Sequence, residues 1–151
     1  MQLVQSSVAC GLSGLTPHQL REWCIRRGVV APDVAPAGPG RHALYSWQTL
    51  LVLRVLRQLH ESFAVEVGAW GEAMVSLQQQ VQGRAFPTLW GLGVLFLGNK
   101  KASIVRLGAD GDEHLGLRLA FDPHLTVLAA GLALPGPPNQ LSLFPAIVVR
   151  R

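Results

Sequence analysis

The chain has 151 residues, 49% of them hydrophobic, with thirteen Lys and Arg against nine Asp and Glu for a formal net charge of +4. That apolar content can fill the core of one ordinary domain or two small ones, which excludes disorder over the whole length, and the basic balance favours a polyanionic partner without identifying it. Cys10 and Cys24 are too few for a disulfide framework and too far apart for a paired metal-ligand motif, while the start MQLVQSSVACGLSGL lacks a leader's basic region and no stretch offers about eighteen uninterrupted apolar residues, so a soluble, cytoplasmic protein with no membrane association is expected.

Along the chain, Leu15, Leu20, Trp23 and Ile25 follow helical spacing, as do Leu50, Leu53, Leu56 and Leu59. Thr16-Pro17 reads as an N-cap and first-turn pair, since the hydroxyl satisfies an orphan amide and Pro has none to waste. Gly28 closes that helix, and Ser46 caps the next, which runs from Trp47 to about His60. Gly11 to Gly14 is too glycine-rich for a helix interior, and the Pro/Gly/Ala run at 31–40 reads as loop. The expected order is short helix, tight turn, helix, irregular loop, helix.

A second composition change at Gly83 to Pro87 marks a domain boundary. Beyond it, LGVLFL at 92–97 and SIVRL at 103–107 read as strands joined by the hairpin-type connection Gly98-Asn99-Lys100-Lys101. LGLRLAF at 115–121 reads as a third strand. Asp122-Pro123 opens a helix as N-cap and first-turn Pro, with a buried strand as the other reading of the TVLAAGLAL that follows. LSLFPAIVV at 141–149 reads as a last strand that Pro145 confines to an edge or bulge.

Residues 12–60 carry a joint pattern: Thr16-Pro17, Leu20-Arg21, Trp23, Gly28-Val29-Val30, Arg41 and Leu44-Tyr45-Ser46, in that order. This pattern resembles the MerR family of transcription regulators over about a third of the chain. The resemblance implies an N-terminal winged helix-turn-helix at 1–62, and with the elements read above the chain is expected to be α+β, with a connecting or dimerisation helix at 63–83 and a small C-terminal β-rich module of unknown role at 84–151, to which the resemblance does not extend. It further implies sequence-specific binding of double-stranded DNA as a homodimer, and a nucleoid-associated location. His18 and Glu22 stand where the family more often has Arg and Tyr, and the wing carries an insertion-like Ala-Pro-Ala-Gly-Pro-Gly run.

The residues themselves fit that chemistry. Leu20 and Trp23 anchor one side of the helix, and Leu44 and Leu50 join them as expected core. His18, Gln19 and Glu22 are candidates for base edges, and Arg21 and Arg26 for phosphates. Thr16 and the helix N-terminus offer further donors to phosphate. Arg41 and His42 stand at the wing tip, while Tyr45 either packs beneath the wing or bonds a phosphate. Cys24 reads as a small buried hydrophobe. Phe63, Val67, Trp70, Met74, Leu77 and Val81 alternate at spacings of four and three, a coiled-coil seam that serves either for dimerisation or for packing within the chain.

No cysteine lies beyond Cys24, which argues against a thiolate metal sensor; no cofactor or metal is expected. Trp90, Phe96, Phe121 and Phe144 line an apolar effector pocket or form the core of the second module, and a small-molecule or protein effector would act there. Asp110, Asp112, Glu113 and His114 read as a solvated turn. The usual nucleophile, phosphate-loop and zinc motifs are missing, so no enzyme is expected. A phage or plasmid assembly factor of the excisionase or packaging type, and a protein-interaction module, are the alternative readings.

Overall fold

The computed structural model of the chain describes residues 2–108 and 116–138. Among them the fold is mixed α+β. In chain order the elements are β1 (Val4–Gln5), α1 (Ser6–Ser13), α2 (Pro17–Arg21) running into a π turn (Glu22–Arg26), β2 (Leu44–Tyr45) and α3 (Trp47–Phe63). A 3-10 turn (Val67–Trp70), α4 (Gly71–Gln82) and a 3-10 turn (Phe86–Leu89) follow, then β3 (Leu92–Phe96), β4 (Ala102–Arg106), β5 (Leu117–Ala120) and α5 (Asp122–Leu132). None of these helices is long and apolar enough to cross a membrane.

The expected N-caps at Thr16 and Ser46 form, each side chain accepting the amide three residues on. Gly28 sits at φ +60°, the left-handed conformation that glycine adopts without strain, and ends the helical run there. Gly11, expected outside any helix, lies within α1, whose C-cap is Gly14 at φ +79°. A glycine near a helix end costs only about 1 kcal/mol against alanine, and burial of Ala9 and Ser13 offsets it.

Helix α3 is the axis of the fold. Leu50, Leu51, Val52, Leu53, Val55, Leu56 and Leu59 have no exposed surface at all. A helix apolar on several sides needs cover on several sides, and α1, α4 and α5 all pack against it. One buried cluster therefore runs from Ala9 to Leu132, across the composition change at 83–87.

Two small antiparallel sheets complete the architecture. β1 pairs with β2, placing Val4 opposite Tyr45. The other has the order β4-β3-β5, with β3 and β4 forming the expected hairpin. Gly93 in the central strand has a reason: a Cβ there would lie 2.5 Å from the Leu119 carbonyl oxygen of β5. The edge of β4 is covered by α4, whose Gln80 carboxamide donates to the Ala102 carbonyl at 2.7 Å and accepts the Ile104 amide at 3.2 Å. With the Ser76 hydroxyl, which accepts the Ala102 amide at 3.4 Å, Gln80 takes the place of a neighbouring strand.

Several expectations change. The segment 63–83 is not one helix: α3 ends at Phe63, Ala64 turns left-handed at φ 54°, and α4 begins at Gly71. Asp122 is the first residue of α5 rather than its cap, and its carboxylate accepts the Gly91 amide at 2.9 Å instead. The helical reading of TVLAAGLAL over the buried strand is the one observed. Leu44 is half-buried because it lies in the short strand bridging Val4–Gln5 and Val34, and Ile25 is 41% exposed, five residues from Leu20 and off the buried face. The acidic turn at 110–114, Phe144 and the strand expected at 141–149 lie outside the described residues.

Candidate functional site

Helix α2 is fixed at its start by a reciprocal pair. The Thr16 hydroxyl accepts the Gln19 amide at 3.1 Å, and the Gln19 side-chain oxygen accepts the Thr16 amide at 3.0 Å. With Leu20 N–H on the Thr16 carbonyl and Pro17 lacking a donor, the first turn keeps only the His18 amide for an anion. At its far end Val29 N–H reaches back to the Trp23 carbonyl at 2.8 Å. Arg27 donates to Glu66 at 2.5 Å, tying the helix to the segment after α3 and holding the Glu66 carboxyl below its usual pKa.

Spacing divides this helix into three faces. Leu20, Trp23 and Cys24 are buried. His18, Glu22 and Arg26, four residues apart, share an outward face, where Arg26 and Glu22 form an exposed ion pair at 3.7 Å. Pro17, Arg21 and Ile25 share the third face and form one wall of a groove of about 830 Å³. Ser6, Ser7 and Cys10 of α1, Pro36, Arg41, His42 and Ala43 of the loop before β2, and Tyr45 of β2 line the rest of it.

That loop is held at its base. Val34 and Leu44 form an antiparallel bridge, and Arg41 N–H closes a turn onto the Gly38 carbonyl at 3.1 Å. The Asp33 carboxylate accepts the Ser46 amide at 2.6 Å, the Ser46 hydroxyl at 2.8 Å and the Thr49 hydroxyl at 2.8 Å. Gln78 of α4 donates to the Thr49 hydroxyl at 3.2 Å and to the Ala31 carbonyl at 3.1 Å. An anion at the start of a seventeen-residue helix, accepting three hydrogen bonds, is well stabilised there.

Tyr45 is 1% exposed, which decides between its two expected roles in favour of packing. Burial pushes its hydroxyl up to about 12. Cys24 is buried beside it, and burial likewise raises its thiol to about 12, an unreactive state. Cys10 is partly exposed in the groove.

The structure therefore brings Arg21, Arg41, His42 and Tyr45 around one groove, and places His18, Glu22 and Arg26 on the adjoining outward face, with Thr16 and Gln19 at the cap. Arg21 and Arg41 form no ion pair among the described residues, whereas Arg26, Arg27 and Arg57 each do. Asp33, Cys10 and the serines of α1 were not legible as site residues. Asp33 meets its partners thirteen and sixteen positions away, and no local spacing signals that.

The six seam residues do not form a common exposed stripe. Met74, Leu77 and Val81 have no exposed surface, Val67 is buried in the 3-10 turn, Trp70 stacks edge-on to Phe96 at 5.3 Å, and Phe63 is 48% exposed. Phe96 and Phe121 are core, and Trp90 meets Phe86 edge-on at 6.1 Å. Among the described residues no three His, Cys, Asp or Glu side chains gather as a metal-ligand set. No family model matches the chain, and no curated protein matches it.

Proposed function

We propose that the chain binds double-stranded DNA through a MerR-like winged helix-turn-helix and acts as a bacterial-type transcription regulator. In this reading α1 and α2 are the helix-turn-helix, the loop at 34–44 is the wing, and α3 carries both. The observation that carries it is that Arg21 of α2 and Arg41 of the loop before β2, two arginines without an ion pair among the described residues, line the same groove. Two cations lining one groove suit a phosphate backbone, because phosphate contacts fix register while base edges supply sequence.

In this reading Arg21 and Arg41 neutralise phosphates, and His18 and Gln19 approach base edges. The Gln19 oxygen is engaged by the cap, which leaves its amide nitrogen to donate. Glu22 serves as an acceptor for a cytosine amino group and restrains Arg26. The word regulator comes from the resemblance of residues 12–60. A homodimer would pair through a surface other than Met74, Leu77 and Val81.

Fluorescence polarisation of labelled genomic duplexes, titrated at two salt concentrations, tests the proposal. Binding that weakens steeply with salt is expected from counterion release. Arg21→Ala should weaken binding to every duplex, and His18→Ala should alter the ranking among duplexes. Absence of binding at low salt overturns the reading.

A further inference from the structure

DNA binding leaves one property of the groove unexplained. A hydrated phosphate backbone gains nothing from an apolar lining, yet Pro17, Leu20, Ile25, Pro36 and Ala43 all line this groove together with Cys10. Its volume, about 830 Å³, lies within the roughly 300–1,000 Å³ typical of small-molecule sites, which pair an apolar lining with a few placed polar groups. The charged side chains here have one sign, beside the hydroxyls of Ser6, Ser7 and Tyr45. Arg21, Arg41 and His42 all line it, and no acidic residue does.

We propose that this groove is a binding site for a small amphipathic organic anion, an apolar ring or chain bearing one carboxylate, and that its occupancy competes with duplex DNA. The carboxylate sits between Arg21 and Arg41, where a guanidinium can take it in a two-pronged hydrogen bond. The apolar body lies on Cys10 and against Ile25, whose 41% exposure in the free protein is then covered. The site itself stands on the groove's own chemistry. The competition rests on the DNA reading, because the ligand and a phosphate would claim the same two arginines.

The test uses the full chain and 1-naphthaleneacetate, with the neutral 1-naphthaleneacetamide as its matched control. Isothermal titration should give one site per chain for the carboxylate and at least ten-fold weaker binding of the amide. Cys10 supplies a readout independent of DNA, since Cys24 is only 4% exposed. Saturating 1-naphthaleneacetate should slow alkylation of Cys10 by N-ethylmaleimide at least ten-fold, read by mass spectrometry. Arg41→Gln should weaken carboxylate binding at least ten-fold, and Ser7→Trp, at an exposed position lining the groove, should block it while leaving the melting temperature near wild type.

Equal binding of acid and amide overturns the anion assignment. Unprotected Cys10, or undiminished binding by both variants, overturns the location. Ligand binding and Cys10 protection in a protein that binds no duplex uphold the site and remove the DNA reading. Duplex binding unaffected by saturating ligand removes the competition.

Discussion

The imidazole of His124 accepts a hydrogen bond at Nδ1 from the Nε–H of Arg54 at 3.2 Å, which fixes its tautomer. An arginine can only donate, so the proton lies on Nε2, which donates to the Gln58 side-chain oxygen at 2.8 Å. The same Arg54 donates to the Leu12 carbonyl at 2.7 Å. Two residues of α3 thus join the last described helix to the first.

This relationship makes stability depend on pH. Burial first, then the Arg54 and Arg57 charges, lower His124 from 6.5 to about 4. Between those values the unfolded chain binds the proton and the folded one does not, so stability is fully present above about pH 6.5 and falls as pH drops towards 4. The contribution is on the order of 3 kcal/mol. Thermal unfolding from pH 7 to pH 4 should show a steeper loss in the wild type than in His124→Asn, and parallel profiles would reject the assignment.

Glu22→Gln should release Arg26 from its ion pair. With side chains 60% and 32% exposed, that pair contributes little to stability, so the melting temperature should hardly move. Affinity for an arbitrary duplex at low salt should rise several-fold, with a steeper salt dependence. An unchanged dissociation constant would remove Arg26 from the phosphate-binding set.

Asp33→Ala removes the acceptor of three hydrogen bonds at the start of α3. Loss of about 2 kcal/mol in urea unfolding is expected. Amide exchange across residues 34–44 should accelerate, and duplex affinity should fall although Arg41 is intact. Exchange rates equal to wild type would show that Asp33 does not hold the loop.

Gln80→Ala uncovers the edge of β4. Stability should fall by about 1 kcal/mol for the lost hydrogen bonds, and light scattering on prolonged incubation should rise as bare strand edges pair between molecules. A variant that stays as clear as wild type would show that α4 protects the edge without Gln80.

Local chemistry was legible where it is written in adjacent residues. Thr16-Pro17, Gly28 and Ser46 mark their helix ends because capping is satisfied within a turn, and Gly98 to Lys101 marks a hairpin for the same reason. The Gln19 half of the Thr16 cap was equally available in the spacing Thr-x-x-Gln. The apolar rhythm from Phe63 to Val81 was real, but rhythm does not say what covers a face. Most of it is buried within the chain, and the left-handed Ala64 breaks it. The groove was illegible because its lining comes from α1, α2 and the loop before β2, which the β1–β2 pairing, the Val34–Leu44 bridge and the Asp33 anchor help bring together.

The burial of α3 from Thr49 to Leu59 on its apolar sides bears on inheritance and engineering as well as packing. A segment ending at residue 62 leaves behind α4 and α5, which both pack against its central helix. α5 also meets α1, where a Cβ at Gly131 would fall 2.2 Å from Leu12 Cδ2, so that the Leu12 side chain would have to turn aside. Swapping the N-terminal part onto another partner would need a new lid cut to the same shape. Variation in the last described helix should therefore be matched by compensating variation in the first, although the two are separated by more than a hundred positions in the chain.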